Sequence, residues 1–124
     1  MDWRQIEVFK GIDLNDSFVL DWRFENNCLC FELQVSIWLE SKYFVKPKLN
    51  EYTCYRKAIL QFVNTVSVLG LKPKSAVMSS TDPDGSIDYG NIDTLQVVDS
   101  GFEIIGNFGN IKISGGELRF EIHA

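Results

Sequence analysis

Apolar and polar residues alternate in the first third of the chain. The alternation runs over residues 18–24 and again over residues 29–37. A period of two places one set of side chains on a single face of a β-strand. Asn26 and Asn27, which tolerate positive φ, separate the two runs. The pattern therefore predicts a long antiparallel hairpin with one apolar face, which on the first strand carries Phe18, Leu20, Trp22 and Phe24.

Residues 55–69 are compatible with two kinds of secondary structure. Apolar positions such as Tyr55, Ile59 and Phe62 follow the spacing of a helix, but the segment also reads as a strand buried on both faces. Its later half is rich in β-branched residues, so we expect a strand. The preceding residues 41–52 are rich in lysine and contain Pro47, a composition typical of a connection or a protected edge strand.

Turn residues divide the last third of the chain into short segments. These segments are residues 92–98, 102–105, 111–113 and 117–122. Short apolar runs between Gly, Asn and Asp predict an antiparallel meander. By contrast, Trp3, Ile6 and Phe9 are three apart and predict a short amphipathic helix over residues 2–10. We therefore predict an all-β, or β-rich α+β, fold: an antiparallel sandwich or squat barrel of about seven or eight strands with a short N-terminal helix.

Length and composition suit one soluble domain. The chain has 124 residues, 45% of them hydrophobic and 23% charged, so we expect a single domain over residues 1–124. No apolar run approaches the roughly 20 residues that cross a bilayer, and residues 1–5 lack the plan of a signal peptide. Three cysteines cannot all pair within the chain, so free thiols in a reducing compartment are expected. These features predict a cytoplasmic protein without a membrane partner.

The net charge of −5 is distributed unevenly. Residues 1–40 hold eight acids against three bases, residues 41–74 hold seven bases against one acid, and residues 82–103 hold six acids and no base. Proteins that bind nucleic-acid phosphates usually carry an excess of Lys and Arg on the binding face. We therefore expect no nucleic-acid partner. The charge blocks can pair within the fold or face another protein.

The candidate chemical motifs each lack a part that their chemistry requires. Residues 82–88 resemble a fragment of a calcium loop, but Asn91 stands where the bidentate glutamate belongs, and Asp-Pro-Asp-Gly is a strong turn sequence. Serine-nucleophile, P-loop and dinucleotide-binding glycine patterns are absent from the sequence. Four soft zinc ligands are present without the spacing of a zinc knuckle: Cys28, Cys30, Cys54 and His123. The sequence therefore predicts neither an enzyme nor a bound cofactor.

Three segments carry a resemblance in their spacing and apolar type. They are Asn15-Asp16-Ser17, residues 58–66, and residues 92–93 together with 106–113. These segments resemble small bacterial β-proteins, some of which are immunity proteins against polymorphic toxins. Members often carry a His-Asp-Ser step at the first segment, where this chain has Asn15. The resemblance implies core and turn positions, including a strand at residues 58–66, and it assigns no functional residue.

These observations lead to a functional hypothesis and two alternatives. We expect a non-catalytic cytoplasmic protein-binding module, of the immunity or inhibitor type, whose partner is a basic protein. The residues expected to bind the partner are the acidic loop residues and two aromatic anchors: Asp82, Asp84, Asp88, Asp93, Tyr89 and Trp38. One alternative is a small-molecule-binding barrel lined by Phe18, Trp22 and Phe31. The other is a homodimer or larger homo-oligomer formed through an exposed sheet edge.

Overall fold

A computed structural model describes residues 1–38, 54–81, 83, 85 and 87–123. In this part of the chain there are eight strands: β1 (Ile12–Glu25), β2 (Cys28–Ile37), β3 (Cys54–Leu71), β4 (Ser80–Thr81), β5 (Ile87–Asp88), β6 (Ile92–Val98), β7 (Gly101–Gly106) and β8 (Gly109–Ile122). The helical content described is three 3₁₀ turns: Trp3–Gln5, Glu7–Phe9 and Lys74–Ala76. The predicted all-β class is confirmed. The lysine-rich segment 41–52 lies outside the described residues.

Six of the strands form one curled antiparallel sheet. Its order is β1-β2-β3-β8-β7-β6, and β4 and β5 form a separate two-stranded ribbon. The sheet curls into a half-barrel that brings its two edges, β1 and β6, together at one end. There the N–H of Val19 donates to the carbonyl of Gly90, and the N–H of Tyr89 donates to the carbonyl of Val19, each at 2.8 Å. These bonds join β1 to the chain that leads into β6.

The predicted hairpin is present, with its turn at the two asparagines. Asn26 and Asn27 have φ of 53° and 57°, the left-handed conformation that a tight hairpin turn needs. On β2 the alternation is regular, and its apolar side chains lie in the core as predicted: Leu29, Phe31, Leu33, Val35 and Ile37. The β2 face was therefore readable from the sequence.

The predicted inner face of β1 is wrong because two register shifts change the phase of the strand. Asp13 pairs with Ser36 and Phe18 with Gln34, so four residues of β1 lie opposite Val35 alone. A second shift between Val19 and Asp21 leaves Leu20 as an extra residue. As a result, Val19 is buried in place of Phe18 and Leu20, and Trp22 points inward as expected.

Strand β3 runs through the whole sheet and bends midway. The prediction of a strand over residues 55–69 is confirmed, and the helical interpretation is excluded. Asn64 has a φ of 56°, and this bulge turns the inner face from Phe62 to Thr65. Thr65 then donates its N–H and its hydroxyl to the carbonyl of Asn27, at 3.0 and 2.9 Å. The bend in β3 is therefore tied to the β1–β2 turn.

The C-terminal meander is present, but its last two predicted strands are one. β8 covers both residues 111–113 and 117–122, and it pairs with β7 in its first half and with β3 along its length. Gly115 and Gly116, with φ of 68° and 88°, allow β8 to kink without ending. The glycines that predicted a turn thus form a bulge.

Aromatic side chains fill the concave side of the sheet. Phe31 contacts Phe108 at 4.9 Å and Phe62 at 6.5 Å between ring centroids, and all three rings are fully buried. Trp3 and Phe9 are also buried, each carried by one of the first two 3₁₀ turns.

The predicted N-terminal helix over residues 2–10 is replaced by those two turns. Ile6 between them is extended, with φ of −89° and ψ of 122°, which breaks the helical path. The capping box of Asp2 and Gln5 closes the first turn at its start. No helix among the described residues is long and apolar enough to cross a membrane.

Candidate functional site

The register shift at the start of β1 forms a short acidic loop. Asp13 orders this loop, because its Oδ1 accepts the N–H of Asn15 at 3.1 Å and the N–H of Asp16 at 3.3 Å. These bonds hold the backbone of residues 13–16 in a tight turn, with the Asp16 side chain exposed. Two carboxylates are thus presented within four residues of one another.

Asn15 fastens this loop to β6. Its Nδ2 donates to the carbonyls of Ile92 and Asp93, each at 3.0 Å, and its Oδ1 accepts from Nη2 of Arg4 at 2.5 Å. Asp93 itself is exposed at this point of β6. The side-chain amide of Asn15 therefore places the Asp93 residue directly beside the β1 loop.

Asp88 reaches the same junction from β5. Its Oδ1 accepts the N–H of Gly90 at 3.0 Å, and the carbonyl of Gly90 accepts the N–H of Val19. We call the four carboxylates along this junction of β1 with β5 and β6 the acidic seam: Asp13, Asp16, Asp88 and Asp93. Their side chains come from elements that are more than 70 positions apart in sequence, as the Asn15 to Ile92 bond shows.

The acidic seam is not neutralised by the described cations. Among the residues that the structure describes, none of its four carboxylates is within an ion pair; the nearby Arg4 pairs with Asp2 at 3.1 Å. Tyr55 Oη donates to Oδ2 of Asp16 at 3.4 Å. Burial, reinforced by the negative charges of Asp16 and Asp13, raises the pKa of Tyr55. The phenol of Tyr55 thus stays protonated and serves Asp16 as a donor.

An apolar groove adjoins the seam at the N-terminal turns. It has a volume of about 430 Å³ and is lined chiefly by Trp3, Ile6, Phe9, Gly11, Ile12 and Trp38. Trp38 is 42% exposed, a large fraction for the largest apolar side chain. Arg4 lines the groove and also binds Asn15, so groove and seam are neighbours. Trp3 Nε1 is buried here without a hydrogen-bond partner.

The structure places the predicted site residues in three different settings. Asp88 and Asp93 lie together on the acidic seam, whereas Asp82 and Asp84 lie outside the described residues. Tyr89 is half-buried, and its ring meets Trp22 edge-on at 4.9 Å, so much of it serves the core. Trp38 stands in the groove.

Asp13 and Asp16 were missed by the sequence analysis. Nothing in their local pattern reveals that the chain bulges there and turns toward β6. The available signal was Asn15-Asp16-Ser17, polar residues that interrupt an otherwise apolar strand and that form part of the resemblance. Residues of this kind favour local side-chain to backbone bonds over a regular ladder.

The four potential zinc ligands are separated by the sheet. Cys30 pairs with Gln61 and Ile37 pairs with Cys54, so Cys54 lies seven residues along the ladder from Cys30, roughly 23 Å. Within the described ranges, no group of three His, Cys, Asp or Glu side chains is placed to hold a metal ion. The carboxylates of the seam therefore form an open surface and not a metal cage.

The aromatics proposed to line a ligand-binding barrel do not face one space. Trp22 and Phe31 both pack on Phe108, whereas Phe18 packs on Tyr55 at 5.7 Å, beside the acidic seam. In comparisons with known proteins, no protein-family model matches this chain, and neither a curated protein nor a solved structure matches it. The geometry of the acidic seam and its groove is thus the basis for assigning a function.

Proposed function

We propose that this protein is a non-catalytic, cytoplasmic protein-binding module that docks a basic protein on the acidic seam and the adjoining groove. One observation carries the proposal: four carboxylates without a described ion pair lie beside a groove in which Trp38 is 42% exposed. Charge and an apolar anchor at one place are the two components of a typical binding surface.

The acidic seam supplies orientation and speed of association. Unpaired carboxylates on a rigid sheet junction create a negative potential that attracts a basic surface and disfavours an acidic one. Because Asn15 and Asp13 fix the loop through backbone hydrogen bonds, little conformational entropy is lost when the loop binds. The seam is therefore suited to rapid, salt-sensitive encounter.

The groove supplies the lasting part of the affinity. An exposed tryptophan beside buried aromatic walls can bury a large apolar area against a partner side chain. Trp38 is held at the end of β2, where its N–H donates to the carbonyl of Gly11 at 2.9 Å. The backbone of this anchor is thus ordered before a partner arrives.

The class of partner favoured by this surface is a basic protein such as a nuclease. A nuclease carries a positive cleft for phosphates, and a row of fixed carboxylates can occupy such a cleft. An inhibitor or immunity protein acts in this way without chemistry of its own, in keeping with the resemblance noted in the sequence.

The test uses the tagged full chain as bait in lysate of its source cells at low and moderate salt. A captured partner is then purified and its Kd is measured by titration calorimetry. The seam variant is Asp16→Asn with Asp93→Asn, and the matched control is Glu25→Gln with Asp99→Asn, which removes the same charge at the two opposite turns. We expect about tenfold weaker binding for the seam variant, a larger loss for Trp38→Ala, and little change for the control.

Circular dichroism and thermal melts establish that all variants are folded. Equal affinity of the seam and control variants contradicts the proposed surface. Failure to capture any salt-sensitive partner contradicts the proposed function.

A further inference from the structure

The second half of β8 has a strand neighbour on one side only. β7 pairs with β8 up to Ser114, and β3 pairs with β8 as far as Ile122. Residues 117–122 of β8 therefore pair with β3 alone among the described strands. This stretch is an open sheet edge, remote in sequence from every residue of the acidic seam, and the inference drawn from it is independent of the proposed function.

Hydrogen bonding to β3 decides which backbone groups face outward. The N–H of His123 donates to the carbonyl of Lys57 at 2.8 Å. In an antiparallel ladder the bonded pairs recur at every second residue, so Glu121 and Arg119 also bond to β3. The N–H and C=O groups of the intervening residues, Leu118, Phe120 and Ile122, point away from β3 and are available to another strand.

The side chains of this edge divide into two faces. Leu118, Phe120 and Ile122 are half-buried and pack against the core, with the Phe120 ring 4.9 Å from that of Phe9. Glu117, Arg119 and Glu121 are exposed on the other face. Their neighbours on β3 are Val63, Gln61 and Ile59. The β3–β8 ladder thus gives these charges no oppositely charged residue directly opposite them.

We propose that this edge binds the same edge of a second copy of the chain, antiparallel, with the twofold axis at Phe120. Phe120 then lies opposite Phe120 of the second copy, and Leu118 lies opposite Ile122 of the second copy. These are the residues whose backbone groups face outward, so each pair exchanges both of its hydrogen bonds. The two half-barrels join into one continuous sheet.

The charges of the outer face are complementary in this register. Arg119 lies opposite Glu121 of the second copy, and the symmetry repeats the pair. Glu117 lies opposite His123 of the second copy. All these contacts fall in the non-hydrogen-bonded positions, where opposite side chains are closest.

Neighbouring registers are disfavoured. An axis at Arg119 satisfies the same backbone groups, but it places Arg119 opposite Arg119 and Glu117 opposite Glu121, and like charges directly opposite are destabilising. An axis at Leu118 brings Gly116 into the pairing, and its φ of 88° is not that of a strand. The charge pattern therefore selects the axis at Phe120.

The test is a charge exchange followed by sedimentation equilibrium of the full chain from micromolar to submillimolar concentration. We expect wild type to dimerise in this range. Arg119→Glu alone and Glu121→Arg alone each create two like-charge contacts and weaken dimerisation by about tenfold. The double variant Arg119→Glu with Glu121→Arg restores opposite charges and returns the dimerisation constant to within about threefold of wild type.

Amide hydrogen exchange provides a second readout on the unmodified protein. Raising the protein concentration should slow exchange at Leu118, Phe120 and Ile122. The amides of Arg119 and Glu121, which bond to β3, are the internal control and should be protected at every concentration. A chain that stays monomeric throughout overturns the proposal. So does a dimer in which the double variant is not rescued, or one in which the outward amides exchange at the same rate at all concentrations.

Discussion

The hydroxyl of Ser17 accepts the backbone N–H of Ser36 at 3.2 Å. The same hydroxyl donates to the carbonyl of Asp13 at 2.6 Å. Asp13 and Ser36 are register partners on β1 and β2, so the Ser17 side chain is inserted into the ladder between them. Both serines are buried, with exposures of 0% and 2%. A single hydroxyl thus continues the ladder across the bulge that carries Asp16.

Removal of this hydroxyl should destabilise the fold. Ser17→Ala loses two hydrogen bonds in a buried place, and we expect the free energy of unfolding to fall by about 2 kcal/mol. Urea denaturation followed by tryptophan fluorescence measures the change. Ser67→Ala, at a half-buried serine of β3, is the control. A loss for Ser17→Ala no larger than that of the control would show that the ladder closes without the hydroxyl.

Gly70 marks a close approach between the backbones of β3 and β8. A Cβ on this residue would lie 2.1 Å from the carbonyl oxygen of Asn110, and its φ is 97°. Because the clash is with backbone, no rotamer relieves it, and Gly70→Ala should cost more than about 3 kcal/mol. At Gly85 the φ is 88° but no atom lies within 4 Å of an added Cβ. Gly85→Ala should therefore cost only about 1 kcal/mol, and equal costs in thermal melts would contradict this account.

Tyr55 should make stability sensitive to alkaline pH. Burial and the charges of Asp16 and Asp13 raise its pKa in the folded state. Folding then favours the protonated phenol, so this contribution to stability is fully present below about pH 10 and is lost as the pH rises through the folded pKa. Tyr55→Phe should flatten this part of the stability profile.

The cause of the raised pKa can be tested separately at Asp16. Asp16→Asn removes one negative charge and should lower the pKa of Tyr55 part of the way toward its ordinary value, while burial continues to hold it above. Ultraviolet difference titration, with Tyr55→Phe as the reference, measures this pKa. An unchanged pKa in Asp16→Asn would mean that the carboxylate is too well solvated to act on the phenol.

The cysteines of β2 should differ in reactivity. Burial raises the pKa of Cys30, which is 7% exposed, and the thiolate is the reactive form. Cys28 is half-exposed at the start of the strand. We expect Cys28→Ser to abolish the fast phase of reaction with a disulfide reagent at neutral pH, and Cys30→Ser to leave it unchanged. The reverse result would place the reactive thiol at Cys30.

The predictable parts of the fold were those with uninterrupted alternation. On β2 every apolar residue predicted to face the core does so. On β1 the same reasoning chose Phe18 and Leu20 over Val19, because each register shift changes which side of the strand faces inward. The bulges depend on bonds such as those of Ser17 to Asp13 and Ser36, which alternation does not report.

The candidate site divides in the same way. Asp88 and Asp93 were identifiable as acidic residues next to turns, and the proximity of Asp93 to the loop of Asp13 and Asp16 was not. That proximity rests on the side-chain amide of Asn15, which bonds to the carbonyl of a residue 78 positions away. Local composition contains no information about such a contact.

The sequence by itself determined the strands, the Asn26-Asn27 turn and the all-β class, because side-chain alternation and left-handed turn residues act over a few neighbouring positions. Only the tertiary structure decided the inner face of β1, the kink within β8 and the meeting of β1 with β6. Each of these arises from hydrogen bonds between distant segments, whose energy is realised only when the sheet has curled. The acidic seam is a product of that closure.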